Sequence, residues 1–305
     1  MPVTPLADVD IKLLRVFRTI VECGGFSQAQ AELNLSRSTI STHMSNLETR
    51  IGFKLCSRGR AGFALTARGR SVYDAACSIL AAIEGYRSQI AQLKERIVGE
   101  ITIGVIDNMI TNDEFRLRYA IRGALSESKD LRITLQIAPP DLVEGLLVRG
   151  QVQMAIAPQF QSRKNVSQQP LFVEKQLMYC GRGHPLFELE DDALTPDLIA
   201  EQRFVRRGYD TITTPYSSFF NRPALAVSHQ MEGLAYFILS GNCVGFLPEV
   251  YANYWVERQE MRTIRPDHFC FDVPICLSRY ENDQITLAAA YVYDAILDAH
   301  RTSDG

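Results

Sequence analysis

No stretch of this sequence is long and apolar enough to cross a membrane. Apolar residues make up 46% of the 305 residues, but no run of them approaches the roughly 18 to 20 that a membrane-spanning helix needs. The N-terminus, which begins Met1-Pro2-Val3, has neither a basic region nor an apolar core, so no signal peptide is recognisable. These absences predict a cytoplasmic protein with no membrane partner.

Cysteine follows no pattern in this chain. No Cys-x-x-Cys pair and no nearby set of histidines accompanies the seven cysteines, which are Cys23, Cys56, Cys77, Cys180, Cys243, Cys270 and Cys276. An odd and scattered count suits a reducing compartment. It predicts neither a disulfide framework nor a metal site.

Motifs for catalysis are also missing. The chain contains no Gly-x-Ser-x-Gly, no Gly-x-x-x-x-Gly-Lys and no His-Glu-x-x-His. His184 precedes Pro185 in a glycine-containing turn, where a histidine is more often structural, and no nucleophile pairs with it in sequence. We therefore predict no enzymatic activity, no catalytic residue, no cofactor and no metal.

Charge is divided unevenly along the chain. Through Arg70 there are ten lysine and arginine residues against five acidic ones, a net +5, whereas the remainder carries 22 against 30, a net −8. A basic N-terminal part joined to an acidic body suits a module that meets phosphate groups while the body stays away from them. Ordinary fluctuation between domains is the alternative.

The basic part has the pattern of two short helices joined by a turn. A first helix is predicted from Leu13, Leu14, Phe17 and Ile20, which recur at helical spacing before Gly24-Gly25. Ser27, with Gln30 three residues later, matches a capping box that opens a second helix. In the turn that follows, we expect Leu35 to fill the angle between the helices and Ser36 to cap the third helix.

The third helix separates an apolar face from a polar one. Its apolar residues are Ile40, Met44, Leu47 and Ile51, and short polar side chains occupy the other side: Ser38, Ser41, Thr42, Ser45 and Thr49. Short side chains allow a helix axis to come close to base edges in the major groove of DNA. The alternative is a solvated surface helix, although serine and threonine are mediocre helix formers for that purpose.

Arginines flank this polar face. Arg37 could bind guanine O6 and N7 with two hydrogen bonds, and Arg58 and Arg60 lie on a glycine-containing hairpin suited to phosphate or minor-groove contact. His43 flanks the face as well, where contact with DNA and a plain surface position are equally open. The candidate DNA-binding residues are Ser27, Arg37, Ser38, Ser41, Thr42, Asn46, Arg58 and Arg60.

A long helix is predicted from Thr66, its cap, to about Ile97. Its apolar residues alternate by four and three positions: Val72, Ala76, Ile79, Ile83, Tyr86, Ile90, Leu93 and Ile97. Such a seam predicts a coiled-coil partner, with Ile79, Ile83, Tyr86 and Ile90 as the dimerisation residues. A helix that lies on its own globular body would show the same seam.

After Gly99 predicted strands and helices alternate, which favours parallel sheets with helices on both faces. The predicted strands are 101–106, 131–137, 153–157, 204–206, 225–227, 244–247 and 273–277, and the predicted helices are 112–125, 141–149, 231–240, 248–255 and 284–300. A polar segment at 161–169 separates two α/β units and could serve as a hinge. The last strand and helix are expected to return to the first unit.

Ligands of such paired units bind at the carboxyl ends of the strands. Helix N-termini there could hold an anion, with Arg206 or Arg207 as its counter-charge. The segment 209–220 is aromatic and could line a ligand surface or simply pack in the core. The candidate effector-binding residues are Asp107, Asn108, Thr111, Pro140, Arg206, Arg207, Tyr209, His229 and Met231.

On these residues the chain resembles the LysR-type transcriptional regulators over essentially its full length. The resemblance is most specific in Phe26-Ser27-Gln28-Ala29-Gln30-Ala31, Leu35-Ser36, Ile40-Ser41, Leu47-Glu48, Gly52, Leu55, Arg58, Leu65-Thr66 and Gly69. Weaker matches are Gly104, His184-Pro185 and Gly245 to Pro248. Many members have Gln-Pro where this chain has Arg37-Ser38, and a basic residue at Thr42. The Leu-Leu-Pro usual after the first body strand is replaced by Met109-Ile110-Thr111.

The resemblance implies an α/β chain in three parts. These are a winged helix-turn-helix DNA-binding domain (1–66), a dimerisation helix (67–97) and a periplasmic-binding-protein-like effector domain (98–305) of two α/β subdomains. Subdomain I would comprise about 98–163 and 267–305, and subdomain II about 164–266.

The implied function is sequence-specific transcription regulation under the control of a small molecule bound between the subdomains. The implied partners are double-stranded operator DNA, an effector such as an organic or aromatic acid, RNA polymerase for an activator, and further copies of the chain in a homodimer or homotetramer. The alternative is a small-molecule binding protein that uses its N-terminal module only for assembly.

Overall fold

The chain divides into two compact units. In the computed structural model, which describes residues 7–59, 62–92, 97–160, 165–208, 216, 218–281 and 285–301, one unit comprises Met1–Ile90 with Arg149–Gln151. The other comprises Ala91–Val148 with Val152–Gly305. Among the described helices, none combines the length and the apolar character that crossing a membrane requires.

The first unit begins with a helix-turn-helix and a hairpin. Its elements are α1 (Asp8–Glu22), α2 (Ala29–Leu33), α3 (Arg37–Ile51), β1 (Cys56–Gly59) and β2 (Gly62–Leu65). Phe17 and Ile20 of α1 are fully buried, as their helical spacing predicts. The turn before α3 contains Asn34 with a left-handed φ of 50°, and the Ser36 hydroxyl accepts the Thr39 N–H at 3.2 Å as the predicted N-cap. The predicted helices and wing are therefore confirmed.

The capping box predicted at Ser27 is wrong. Helix α2 starts at Ala29, and Gln28, its N-cap residue, makes no side-chain cap. The Gln30 side chain instead donates to the Ser27 carbonyl oxygen at 3.1 Å and accepts the Arg37 N–H at 3.1 Å. An amide can both donate and accept, so Gln30 links the turn before α2 to the first residue of α3.

A buried carboxylate joins α3 to the hairpin. Glu48 is only 6% exposed, and its Oε1 accepts the N–H of the fully buried Leu55 at 2.9 Å. The Lys54 ammonium donates to Oε2 at 2.7 Å. Burial raises the pKa of Glu48, but these hydrogen bonds outweigh it and leave the pKa below its ordinary value. The end of α3 is thereby tied to the strand that follows it.

A second carboxylate joins α3 to α1. Arg50 donates from Nη2 to Oδ2 of Asp10 at 2.7 Å and also from Nε to Oδ1. These bonds lower the pKa of Asp10. Planar bidentate pairs of this kind restrain orientation as well as distance. Asp10 also caps the start of its own helix by accepting the Ala7 N–H at 2.8 Å.

Helix α4 (Ala67–Gln92) starts against the hairpin. The Thr66 hydroxyl accepts the Gly69 N–H at 2.9 Å, which confirms the predicted cap, and donates to the Lys54 carbonyl oxygen at 3.0 Å. A Cβ at position 69 would lie 1.8 Å from the Leu55 carbonyl oxygen. Glycine is therefore required for the first turn of α4 to approach the hairpin this closely.

The predicted seam of α4 is divided. Ala76 is buried, and Val72 and Ile79 are half-buried against the core of their own module, so up to Ile79 the helix does lie on its own body. Beyond that point Ile83 is half-buried and Tyr86 is 65% exposed. The Ile90 side chain and Leu93 lie outside the described residues.

The predicted end of this helix at Ile97 is wrong. The described helix ends at Gln92, and Ile97 is not helical but packs against the core of the second unit. Ile97 has the correct heptad spacing for the seam, but it packs against the core beside the strand that follows it. Spacing alone does not distinguish these two uses.

A mixed seven-stranded sheet organises the second unit. Its strands are β3 (Gly99–Val105), β4 (Leu131–Ile137), β5 (Met154–Pro158), β6 (Val166–Gly181), β9 (Val244–Pro248), β10 (Met261–Thr263) and β11 (Cys270–Tyr280). They lie in the order β10-β6-β11-β5-β3-β4, and β9 also pairs with β6. A separate parallel pair consists of β7 (Val205–Arg207) and β8 (Ala226–Ser228).

Six α-helices accompany the described strands of this unit. They are α5 (Leu117–Glu127), α6 (Pro140–Val148), α7 (Pro196–Ala200), α8 (Met231–Leu239), α9 (Glu249–Val256) and α10 (Leu287–Arg301). The cores divide accordingly. One lies around β3, β5, α5 and α10, and two smaller ones lie around β9, which contributes Leu247 to one and Val244 to the other. The chain thus builds two α/β halves.

The long strands β6 and β11 connect these halves. Near their shared register shift at Ile275 and Cys276, β11 pairs with β5 on one side and with β6 on the other. Farther along, β6 pairs with β9 and β10. Both halves therefore share one continuous pair of antiparallel strands.

The expectation of parallel sheets is only partly right. Strand β3 pairs in parallel with β4 and β5, but β6, β9, β10 and β11 pair antiparallel. Strand β6 was missed because its sequence mixes polar and apolar residues and contains Pro170. The polar segment 161–169 was expected to be a hinge, yet β6 begins within it at Val166, while 161–164 lie outside the described residues.

The helix predicted from Asn112 starts five residues later, at Leu117. The Asn112 side-chain oxygen accepts the Glu114 N–H at 2.9 Å and so forms a turn. Asparagine side chains compete in this way with helical hydrogen bonds. The other predicted elements of this unit agree with the structure to within a few residues at their ends.

We predict that Glu48→Ala destabilises the first unit by about 1–3 kcal/mol, because the Leu55 N–H would be left buried without an acceptor. Glu48→Gln keeps an acceptor oxygen and should lose less. Urea denaturation of the full chain and hydrogen exchange at the Leu55 amide measure the effect. Glu32→Ala, at an exposed position of α2, is the control. Equal losses in Glu48→Ala and Glu48→Gln would contradict the hydrogen-bond explanation.

A dependence on pH follows from the lowered pKa values of Asp10 and Glu48. Because each folded-state pKa lies below the unfolded value, the unfolded chain binds protons first. The stabilisation is present above the unfolded values and is lost as the pH falls through the folded ones. The free energy of unfolding of the double variant Asp10→Asn/Glu48→Gln should therefore fall less steeply below about pH 5 than that of the wild type, as acid denaturation would measure. An unchanged slope would contradict this, and Asp8→Asn is the control.

Candidate DNA interface and effector site

The polar face of α3 is exposed as predicted. Its opposite side is buried through Ile40, Met44 and Leu47, with Ile51 half-buried beside them. The outward residues cover roughly half of the helix circumference at 100° per residue. Ser41 and His43 are half-buried at the margins, and the fully exposed members are Arg37, Ser38, Thr42, Ser45, Asn46 and Thr49.

Arg37 and Asn46 have the longest polar side chains of this exposed set, and their polar ends are unengaged. The guanidinium of Arg37 and the amide of Asn46 form no hydrogen bond or ion pair with any residue that the structure describes. The Arg37 backbone, by contrast, is held by Gln30. Arginine binds guanine, and asparagine binds adenine, through two hydrogen bonds each. These two residues can therefore read bases without first breaking an internal contact.

Both threonine hydroxyl groups on this face bind the backbone of α3. Thr42 donates to the Ser38 carbonyl oxygen at 3.1 Å, and Thr49 donates to the Ser45 carbonyl oxygen at 2.8 Å. Ser38 shares a hydrogen bond of 2.8 Å with Ser36. With its hydroxyl bound to the backbone, a threonine can offer its methyl group to the methyl group of thymine. This part of the face suits close apolar approach as well as hydrogen bonding.

The remaining candidates for DNA contact lie around α3. Ser27 is exposed in the turn before α2, and Arg58 lies in β1 opposite Phe63 of β2. Phe63 packs edge-on against Phe26 with ring centroids 6.0 Å apart, which fixes the base of the wing to the helix-turn-helix. The Arg58 side chain and the whole of Arg60 lie outside the described residues.

In the second unit, Asp107 follows β3 and meets the start of α8. Its Oδ2 accepts the Met231 N–H at 2.8 Å. Burial raises the pKa of Asp107, and the Met231 N–H and Arg207 act in the opposite direction. Helix N-termini attract anions, so this carboxylate already occupies the anion position of α8.

A buried polar chain lies beside Asp107. Arg207, at the end of β7, donates to Oε1 of Gln176 at 2.6 Å, and Gln176 donates to Oε2 of Glu174 at 2.7 Å. None of these three residues is more than 7% exposed. The Arg207 guanidinium also lies 4.0 Å from the Met231 sulfur. Asp107, Arg207 and Met231 were predicted and are brought together.

Sequence reasoning missed Glu174 and Gln176. Both lie on β6, which was not predicted, and residues two apart share one face of a strand. Burial is the main reason why the pKa of Glu174 is raised to about 6. The positive charge of Arg207 lowers this pKa, and the negative charge of Asp107 raises it. The available signal was the pattern Glu174-Lys175-Gln176 before an apolar run.

The other predicted effector residues are placed differently. Asn108 adopts a left-handed φ of 62°, and its side-chain nitrogen is buried without a described partner. Exposed Arg206 donates to the Arg207 carbonyl oxygen at 3.1 Å. The His229 ring packs against Gly208 so closely that a Cβ at position 208 would lie 2.6 Å from the ring. Thr111 donates to the Asn108 carbonyl oxygen at 3.4 Å, and no hydrogen bond among the described residues joins Pro140 to Asp107, Arg207 or Met231. Tyr209 lies outside the described residues.

His184 has a structural role. It is buried, and its Nδ1 accepts the Leu186 N–H at 3.2 Å, while burial lowers its pKa. All seven cysteines are free thiols, and the described residues contain no group of three or more potential metal ligands among histidine, cysteine, aspartate and glutamate.

Two family models match the chain along nearly its whole length. Residues 11–70 match the bacterial regulatory helix-turn-helix protein model of the lysR family, and residues 94–301 match the LysR substrate binding domain. A curated relative, the HTH-type transcriptional activator BauR of Pseudomonas aeruginosa, is 37% identical over 272 residues, which cover 89% of each chain.

Solved structures share the fold. A full-length OxyR variant from Pseudomonas aeruginosa aligns with a TM-score of 0.64 at 15% identity and covers 98% of this chain and 96% of that one. Full-length CbnR in complex with its target DNA aligns with a TM-score of 0.61 at 16% identity, covering 95% and 99% respectively. At such identities the likeness supports the fold alone.

A helix-turn-helix, a wing hairpin and a two-part α/β domain thus occur together in one chain that matches both family models. Members of this family regulate genes and are not enzymes. The chain belongs to the LysR family and is a DNA-binding transcriptional regulator with an effector-binding domain.

Proposed function

We propose that this regulator recognises its operator by placing α3 in the major groove. Arg37, Ser38, Ser41, Thr42 and Asn46 would face the base edges. Ser27, Arg58 and Arg60 would contact the DNA backbone. The observation that carries the proposal is the unengaged Arg37 guanidinium at the start of an exposed polar face.

We further propose that copies of the chain associate through α4, as a homodimer or homotetramer. One recognition helix covers only a few base pairs, so DNA reading favours paired modules. The dimerisation residues would be Ile79, Ile83, Tyr86 and Ile90. Exposure of Tyr86 beyond the part of α4 that packs on its own module supports this. The DNA-binding domain would span 1–66, the linker helix 67–97 and the effector domain 98–305.

The proposed effector is a small organic acid, aromatic ones included, bound between subdomain I (about 98–163 and 267–305) and subdomain II (about 164–266). The support for this location is a group of contacts between the ends of three elements. Met231, at the start of α8, contacts Asp107 after β3 and Arg207 at the end of β7. Asn108, Arg206 and His229 would border the site, and Thr111, Pro140 and Tyr209 stay candidates.

The protein would act in the cytoplasm, where it reaches the chromosome. BauR is named a transcriptional activator. Activation by this chain would make RNA polymerase a partner. A binding protein that used its N-terminal module only for assembly would not need an exposed polar face on α3.

Arg37→Ala should weaken binding to DNA from upstream of the protein's own gene by about 1–3 kcal/mol, since a bidentate guanine contact would be lost. Gel shifts compare this DNA with a scrambled duplex at several salt concentrations. Loss confined to the specific duplex indicates a base contact, whereas equal losses would show a phosphate contact. Lys12→Ala, an exposed cation of α1, is the control. If the double variant Arg37→Ala/Ser41→Ala still bound the specific duplex fully, the proposal that this face of α3 contacts the bases would be contradicted.

Replacing both Ile83 and Tyr86 with lysine should abolish association and weaken DNA binding together, because charged side chains would face each other across the seam. The control is Ala81→Lys with Ser78→Lys, which adds the same charge at exposed positions on the other side of α4. Analytical ultracentrifugation measures association, and gel shifts measure DNA binding. Unchanged sedimentation of the Ile83, Tyr86 variant would refute the role of α4.

A further inference from the structure

We propose that the effector carries a protonated amine, which binds to the carboxylates of Glu174 and Asp107 beside Arg207. This inference rests on the proposed effector site and specifies the chemistry of its ligand. The expected organic acid would then be an amino acid or a related zwitterion.

The buried groups carry an excess of negative charge. Glu174 and Asp107 stand against one guanidinium, that of Arg207. Glu232, an exposed residue in the first turn of α8, adds a further carboxylate near Asp107. Placing charge in an apolar environment is unfavourable without an opposite charge. A cationic ligand would compensate this excess, and an anionic ligand would increase it.

Internal acceptors already take up part of the anion-binding capacity of the site. Arg207 binds Gln176, and the N–H at the start of α8 binds Asp107. A simple anion would therefore either displace an internal contact or bind next to the Asp107 carboxylate, which repels it. This arrangement disfavours a ligand that carries only an acidic group.

Acceptor capacity, in contrast, is left over. Glu174 is 6% exposed, yet only its Oε2 receives a hydrogen bond from a described residue, namely from Gln176. An ammonium group has three donors and no acceptor, so it matches a pair of carboxylates directly. Burial raises the pKa of Glu174 although Arg207 acts in the opposite direction, so this one guanidinium does not fully compensate the carboxylate.

The test is a thermal-shift assay on the full-length protein with matched pairs of compounds. Short-chain amino acids and alkylamines are each paired with the carboxylic acid or alcohol of the same skeleton, at equal ionic strength. We expect stabilisation by amines and little by their deaminated partners. Stabilisation by the deaminated acids alone, or by no amine, would overturn the proposal. Stabilisation by magnesium chloride alone would identify a metal site instead.

Variants assign the effect to the carboxylates. Glu174→Gln should weaken amine binding by about 10- to 100-fold, as expected for the loss of a charged hydrogen bond. Its own melting temperature should not fall, because a buried charge is removed. Asp107→Asn keeps an acceptor for the Met231 N–H and should also weaken binding. Glu257→Gln, at an exposed position after α9, is the matched control. Undiminished amine binding by both Glu174→Gln and Asp107→Asn would refute the assignment.

Gel shifts with the same samples separate this inference from the function on which it rests. If wild type binds upstream DNA but ignores amines, the amine is wrong and the regulator stands. If amines bind but never alter DNA binding or transcription from that promoter in vitro, the site exists without the proposed control. A change of DNA binding on addition of an amine, lost in Glu174→Gln, supports both.

Discussion

The position of α3 depends on two buried carboxylates. Asp10 binds Arg50 and Glu48 binds the Leu55 N–H, so α3 is joined to α1 on one side and to the hairpin on the other. The hairpin in turn receives α4 at Gly69. A shift of α3 would therefore break hydrogen bonds of buried groups, which costs more than sliding an apolar contact. Polar contacts of buried groups therefore fix the position of the helix that carries the exposed polar face.

Local patterns predicted this module well and the second unit less well. The buried row Ile40, Met44, Leu47 and the cap Ser36 depend on residues close in sequence, so spacing was sufficient. The proposed effector site depends on Glu174 and Gln176, which meet Arg207 only through the pairing of distant strands. Strand β6 itself lacks a clear period because one stretch serves two halves with different neighbours. Its site residues were unpredictable for the same reason.

The two units use buried charge in opposite ways. In the first, each buried carboxylate has donors within the chain, and the pKa values of Asp10 and Glu48 are lowered. In the second, burial prevails, and the pKa values of Asp107 and Glu174 are raised. Satisfied carboxylates stabilise a fixed arrangement, whereas under-compensated ones favour a partner from outside. The carboxylates of the proposed ligand site thus differ from the structural ones in the direction of their pKa shift.

Asp107 has a further consequence for control by the effector. It lies after β3 in one half of the effector domain, and its acceptor bond goes to the first residue of α8 in the other half. A ligand amine that binds Asp107 competes with the Met231 N–H for the same carboxylate, or shares it through the second oxygen. Either way the strength of the link between the halves changes with ligand occupancy. Since a ligand shifts an equilibrium only through unequal affinity for two states, this shared carboxylate would supply the inequality that regulation by the proposed ligand needs.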